Sequence, residues 1–215
     1  MEPFSQLLLA FIVFLSLYLL GSSSLTGCIK IVALQGMCLG ALPLTVRAEG
    51  FRLRGLFLAA GMFLLKGFVI PRVLLYAIRE VKIRREIEPM IGYAPSLLIG
   101  AVLIGVSFAL AERLPVPAGL RTSLMIPVSL ATVMMGMLMM ISRIKAITQV
   151  IGYLVFENGI YLFGLAIAYE APWLIEMGVL LDVFVAVFVM GIIINHIARA
   201  FDSISTEKLT RLSDY

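Results

Sequence analysis

The sequence is short of charge and of reactive side chains. Lysine, arginine, aspartate and glutamate together make up 14% of its 215 residues, whereas an average soluble domain carries about 25%. It contains one histidine, two cysteines and one tryptophan. No nucleophile–base set, zinc-ligand spacing or glycine-rich phosphate loop is visible, so we do not expect the chain to catalyse a reaction by itself. No stretch is suited to a soluble domain or a nucleic-acid-binding module.

Long apolar runs are what the sequence has instead, since 61% of its residues are apolar. A transmembrane helix needs about 20 such residues at about 1.5 Å of rise each. Seven runs approach or reach that length, at residues 3–20, 28–46, 55–78, 95–111, 124–142, 147–169 and 174–198. The sequence therefore predicts an all-α, polytopic integral membrane protein of about seven helices. We divide it into an N-terminal four-helix region, residues 1–123, and a C-terminal three-helix region, residues 124–215.

The basic residues between these spans predict their orientation. With seven spans, ten lysines and arginines fall on the side that carries the C-terminus, and five fall on the other side. Cytoplasmic loops of membrane proteins carry the excess of basic residues. We therefore predict a multi-pass protein of the inner (cytoplasmic) membrane, with its N-terminus outside and its C-terminus in the cytoplasm.

Three ionisable residues fall deep within predicted spans: Lys66, Glu157 and Asp182. A carboxylate near the bilayer centre costs at least about 2.5 kcal/mol by insertion scales, so such residues face a protein interior, a partner or water. Desolvation disfavours their charged form, which suits a group that loads and releases a proton near neutral pH. We predict that these three residues form a proton relay. The alternative is that each is a structural anchor, hydrogen-bonded between helices.

Three further polar residues are candidates for the same relay or for packing. Asn158 adjoins Glu157, and Tyr161 follows Glu157 by about one helical turn, where it can share the same face. His196 falls at the predicted cytoplasmic end of the seventh span, where an interfacial position and a role as proton donor are both open. We expect no metal ion or cofactor to be bound by this chain.

Two sequence features bear on how the predicted second and third spans pack. Gly36 and Gly40 form a small-xxx-small pair, which lets a neighbouring helix approach closely. Pro71 follows Lys66 in the third span and frees the carbonyl one turn back, so we expect a kink in the helix there.

The residues around the two carboxylates resemble a known family. Three segments carry the resemblance: Ile-Gly-Tyr-Leu-Val-Phe-Glu-Asn-Gly at 151–159, Glu-Met-Gly-Val-Leu-Leu-Asp-Val-Phe-Val-Ala-Val-Phe-Val-Met at 176–190, and Leu-Thr-Arg-Leu at 209–212. They are similar to the hydrogenase-4 component E family, membrane subunits of formate hydrogenlyase and related group 4 nickel–iron hydrogenase complexes. The resemblance implies larger antiporter-like membrane subunits and a quinone- or hydrogenase-module anchor subunit as partners. It also implies that nickel–iron and iron–sulfur centres belong to those partner subunits.

The C-terminal region, residues 124–215, also resembles the three-helix K subunit of respiratory complex I and the C subunit of multisubunit cation/proton antiporters. In that pattern a basic pair, here Arg143 and Lys145, precedes a helix with a buried glutamate. Asp182 falls where the second glutamate of the pattern would lie. One departure is that Leu154 takes the place of the first glutamate, and Glu157 lies three residues later, on nearly the same helical face but at another depth.

The resemblance and the buried charges lead to one functional expectation. The chain would be a membrane-arm subunit of a redox-driven complex that translocates protons or sodium ions, and its buried charged residues would belong to the intramembrane ion relay. A purely structural scaffold subunit of the same complex is the first alternative. A stand-alone small ion transporter is the second, although the inverted repeat common in transporters is not visible.

Overall fold

The computed structural model describes residues 3–45, 60–80, 90–114 and 124–167, together with residues 184 and 191. All regular structure in these ranges is helical, with no β-strand. Asp182 and His196 lie outside the described residues, as does most of the predicted seventh span. The all-α prediction is confirmed for the part of the chain that the structure describes.

Six helical segments follow one another along the chain. They are α1 (Pro3–Gly21), α2 (Leu25–Ala41), α3 (Ile70–Glu80), α4 (Tyr93–Arg113), α5 (Met125–Ser142) and α6 (Ala146–Ala166). A 3₁₀ turn, Leu42–Thr45, extends α2. Residues 60–64 are α-helical and lead through a π-helical turn, Leu65–Val69, into α3.

Four of these helices are long and apolar enough to cross a membrane. They are α1, α4, α5 and residues Ile147–Ala166 of α6, and they correspond to the predicted first, fourth, fifth and sixth spans. The helix α2 has 17 residues, slightly fewer than the roughly 20 that a span needs. The structure thus supports a protein with several membrane-spanning helices, by length and composition.

The π-helical turn, Leu65–Val69, lies just before Pro71, where the sequence predicts a kink. Pro71 has no N–H group, so the α-helical hydrogen bond one turn back cannot form. The N–H of Ile70 instead donates to the carbonyl of Leu65, five residues earlier. The helix therefore widens by one residue immediately before the proline, and Lys66 lies within this widened turn.

The most extensive helix pair among the described elements is α5 with α6, and glycines bring the two together. A Cβ atom on Gly152 would lie 2.8 Å from the backbone nitrogen of Met140, and one on Gly159 would lie 2.6 Å from that of Val133. A Cβ atom on Gly136 would overlap the backbone of Phe156. Small residues at such an interface allow the close backbone approach that stabilises helix pairs in membranes.

Buried apolar side chains form two clusters, one toward each end of the bundle. The first cluster joins the later turns of α1 and α5 to the earlier turns of α2 and α6, together with Ile70, Leu74 and Ile78 along α3. The second joins the earlier turns of α1 and α5 to the later turns of α2 and α6, together with Met62. The consecutive helices α1 and α2, and likewise α5 and α6, therefore run in opposite directions, and their middle turns meet between the two clusters.

The outer surface of α4 is almost wholly apolar. Its buried residues are Ser96, Gly100 and Ser107, all small, while Leu98 and Val102 are among the exposed large side chains. A continuous exposed apolar face is typical of a surface that contacts lipid or another subunit.

Candidate functional site

Between the two apolar clusters lies a layer of buried polar side chains, centred on Lys66. This lysine is only 4% exposed, and its Nζ atom donates a hydrogen bond of 2.9 Å to Oδ1 of Asn158. The same Nζ atom lies 3.8 Å from Oε2 of Glu157, which is 1% exposed. A cation and an anion thus lie side by side in the interior of the bundle, away from water.

Consecutive residues of α6 supply the carboxylate and the amide of this site. Glu157 and Asn158 are both buried, although neighbouring residues of a helix point in different directions. Both are covered because α6 packs against α5 on one side and against α2 on another. Gly159, the next residue, provides the close approach to α5.

The polar layer continues from Asn158 across α2 to α1. Nδ2 of Asn158 donates to Oε1 of Gln35 over 3.1 Å. Nε2 of Gln35 donates to Oγ of Ser16 over 2.9 Å and, more weakly, to the backbone oxygen of Ile12 over 3.5 Å. The hydroxyl of Ser16 donates to the same Ile12 oxygen over 2.9 Å. An uninterrupted hydrogen-bonded chain therefore joins Lys66 to the backbone of α1.

A glycine lets Lys66 reach this position. A Cβ atom on Gly36 would lie 2.6 Å from the Cβ of Lys66, so the π-helical turn packs directly on the backbone of α2. The sequence predicts such an approach from the pair Gly36 and Gly40, and the structure confirms it at Gly36. Gln35, the neighbour of this glycine, is carried into the polar layer by the same contact.

The structure brings together some of the residues that the sequence singles out. Lys66, Glu157 and Asn158 converge, although Lys66 lies far from the other two along the chain. Tyr161 is buried one turn further along α6, within the second apolar cluster. The positions of Asp182 and His196 lie outside the described residues, so their relation to this site stays a prediction.

Two members of the polar layer, Gln35 and Ser16, are missed by sequence reasoning. Gln35 carries a usable signal, because it is an uncharged polar residue in the middle of an apolar run, fully buried in the structure. Ser16 carries none, since a serine in an apolar helix commonly bonds its own backbone.

A second buried cation lies at the turn between α5 and α6. Arg143, counted as a loop residue in the sequence, is 1% exposed. Its Nη2 atom donates to the backbone oxygen of Leu20 at the end of α1 over 2.6 Å, and its guanidinium lies 5.4 Å from the centre of the Tyr93 ring. Burial lowers the pKa of Arg143 below its ordinary value, and the nearby Tyr93 offsets only part of this shift. The guanidinium still stays charged near neutral pH. Arg143 thus ties α1, α4 and α5 together.

The polar layer places hydrogen-bond donors and acceptors together in a buried site. A lysine ammonium group has three N–H donors and a carboxylate has only acceptor oxygens, so Lys66 and Glu157 are complementary partners. Among the described residues, no group of three histidine, cysteine, aspartate or glutamate side chains is arranged to hold a metal ion.

Known proteins resemble this chain along most of its length. It is 30% identical over 207 residues to the uncharacterised protein Rv0085 of Mycobacterium tuberculosis, which covers 94% of this chain and 93% of that protein. It is 28% identical to hydrogenase-4 component E of Escherichia coli K12 over 156 residues. That match covers 72% of this chain and 71% of that protein. Hydrogenase-4 component E of Shigella flexneri matches with the same figures. No family model matches the chain, and no solved structure matches it.

Proposed function

Because this chain belongs to the hydrogenase-4 component E family, we propose that it is a membrane subunit that supplies buried charges to the ion relay of a hydrogenase-type complex. The relay ion is a proton or a sodium ion. Lys66 and Glu157 are the relay residues in the part of the chain that the structure describes, and Asp182 is the third. In this proposal the chain itself does not form or oxidise hydrogen. That reaction belongs to partner subunits with nickel–iron and iron–sulfur centres.

The observation that carries the proposal is the buried pair of Lys66 and Glu157, 3.8 Å apart and shielded from water. Stability alone gives a weak reason for such a pair. Replacing a buried ion pair with well-packed apolar residues is often neutral or stabilising, because desolvating two charges is expensive. A pair that can exchange a proton as the charge of its surroundings changes gives a functional reason for keeping it there.

The partners of the complex follow from the family and from the surface of the bundle. We propose that larger antiporter-like membrane subunits and a quinone- or hydrogenase-module anchor pack against this chain in the inner membrane. The exposed apolar face of α4 is compatible with such contacts, since Leu98 and Val102 project from it.

The test of the relay is Glu157→Gln in the assembled complex. The amide keeps the volume and hydrogen-bonding capacity of the carboxylate but cannot load and release a proton near neutral pH. We expect the number of ions translocated per electron to fall several-fold. Asp182→Asn should act similarly, and the double variant should be little worse than the more severe single one, because residues in one path are not additive. Glu112→Gln is the matched control, since Glu112 is exposed near the end of α4.

The same variants separate the relay from a purely structural scaffold. The hydrogen-bonded chain from Lys66 to Ser16 crosses four helical segments and would also serve as an interhelical anchor. In a scaffold, Glu157→Gln would leave the translocation ratio at the parental value, while Glu157→Leu would lower the yield of assembled complex. Full translocation by an assembled Glu157→Gln complex would overturn the relay and favour the scaffold.

A further inference from the structure

The hydrogen bonds of the polar layer have a single direction, which points away from Lys66. Lys66 donates to Asn158, Asn158 donates to Gln35, and Gln35 donates toward Ser16 and the Ile12 carbonyl on α1. Each amide uses its oxygen on the Lys66 side and its nitrogen on the α1 side. This direction decides which atom Asn158 presents to the lysine.

The direction is set at the Lys66 end, where the ammonium group can only donate, and the α1 end favours the same direction. The backbone oxygen of Ile12 can only accept a hydrogen bond, and it faces both the hydroxyl of Ser16 at 2.9 Å and Nε2 of Gln35 at 3.5 Å. Turning the Gln35 amide over would set its oxygen against this carbonyl oxygen. Gln35 therefore keeps its Oε1 atom toward α6.

Gln35 and Lys66 together fix the orientation of Asn158. If Asn158 turned alone, its Oδ1 would meet Oε1 of Gln35, and its Nδ2 would meet the Nζ atom of Lys66. Two hydrogen bonds, of 3.1 and 2.9 Å, would each be replaced by a contact between like partners. Buried polar groups without partners destabilise strongly, so Lys66 and Gln35 each disfavour this flip.

We propose that Gln35 is a positioning residue for the relay, which acts through Asn158: it holds the carbonyl oxygen of Asn158 against Lys66 and so sets the hydrogen-bonding environment in which Lys66 meets Glu157. The inference rests on the proposed relay for its functional consequence. It assigns a role to α1 and α2, whose residues carry no part of the relay predicted from the sequence. Ser16 ends the series of hydrogen bonds and holds the Nε2 side of Gln35.

The first test compares two substitutions of Gln35 in the complete complex. Gln35→Met has a similar length but no hydrogen bond, so Asn158 is released and the number of ions translocated per electron should fall several-fold. Gln35→Glu keeps an acceptor oxygen toward Nδ2 of Asn158 and, as the neutral acid that burial favours, an O–H donor toward Ser16, so it should restore most of the ratio. The matched control is Thr132→Val, since Thr132 is buried and its hydroxyl donates to the Val128 carbonyl of its own helix. Equal losses in the methionine and glutamate variants would overturn the proposal.

The second test asks whether Gln35 acts through Asn158. In an Asn158→Leu complex there is no amide to orient, so adding Gln35→Met should lower the translocation ratio no further. If Gln35→Met instead lowers the translocation ratio by the same factor in the parental complex and in the Asn158→Leu complex, Gln35 acts by another route and the inference is overturned.

A third measurement keeps this inference separate from the proposed function. The midpoints of heat inactivation of the purified complex are compared for Gln35→Met, Lys66→Met and the double variant. Residues coupled through one hydrogen-bonded chain give a double variant that is less destabilised than the sum of the singles. If the midpoint shift of the double variant equals the sum of the two single shifts, the positioning role is overturned even if Glu157→Gln abolishes translocation. Non-additive midpoints would uphold it even if Glu157→Gln translocates normally, in which case only the relay fails.

Discussion

The close contact between Gly36 and Lys66 makes a sharp prediction about Gly36→Ala. The added methyl carbon would lie 2.6 Å from the Cβ of Lys66 and 3.3 Å from its carbonyl carbon. Carbon atoms in favourable contact are about 3.5–4.0 Å apart. Neither atom of Lys66 is the far end of a flexible chain, so α2 and the π-helical turn must separate locally by about 1 Å.

The expected loss of stability in Gly36→Ala is measured against Gly61→Ala, a matched substitution in the same part of the protein. A Cβ atom on Gly61 meets nothing within 4 Å, so Gly61→Ala measures the gain in helix propensity alone, up to about 1 kcal/mol. Overpacking of a buried contact costs about 1–3 kcal/mol. We therefore expect Gly36→Ala to be less stable than Gly61→Ala by about that amount, or about 2–4 °C of thermal midpoint per kcal/mol for a chain of this size.

Two assays check this prediction. Thermal midpoints of the purified complex compare the two alanine variants, and the number of ions translocated per electron reports on the polar layer. Moving Lys66 away from α2 stretches its bonds to Asn158 and Glu157, so Gly36→Ala should lower the translocation ratio and Gly61→Ala should not. Equal midpoints and equal ratios for the two variants would show that the packing of Gly36 on Lys66 is not as described.

Two further predictions concern the end of the bundle and its orientation. Arg143→Met removes a buried charge-assisted hydrogen bond and leaves a helix-end carbonyl without its donor, so it should destabilise the complex by about 1–3 kcal/mol in heat inactivation. Arg113→Met, at an exposed residue of α4, should be close to neutral, and similar losses in the two variants would contradict the role given to the buried guanidinium. A reporter fused after Tyr215 should be cytoplasmic and one at the N-terminus should be outside, because of the excess of basic residues on the C-terminal side. Finding both reporters on one side would exclude seven spans.

Much of the helical architecture follows directly from the sequence. Runs of apolar residues long enough to cross a bilayer predict the helices α1, α4, α5 and α6 within a few residues, since no other backbone arrangement satisfies its hydrogen bonds in lipid without closing a barrel. Pro71 predicts a kink because it lacks an N–H group, although the pattern does not say that the turn before it is π-helical. The number of spans and their orientation stay predictions.

The candidate site could be predicted only in part. An ionisable side chain in an apolar run is conspicuous whatever surrounds it, so Lys66 and Glu157 stand out from the sequence alone. Gln35 and Ser16 do not, because uncharged polar residues in apolar helices are common and their partners depend on the rotation of each helix. The sequence places Arg143 between two spans but does not predict its burial, because an arginine there is usually solvated, whereas this one lies against the ends of α1 and α4.

The sequence by itself determined that this protein is helical, that it is apolar enough for a membrane, and which few residues carry charge at depth. Those properties depend on composition and on position along the chain. The tertiary structure alone decided that Lys66 lies against Glu157 and Asn158, and that the hydrogen bonds run from Lys66 through Gln35 to α1. These contacts depend on how the helices are rotated and how closely they approach. Glycines such as Gly36 and Gly159 set that approach, because a single added carbon atom at either position would push two helices apart.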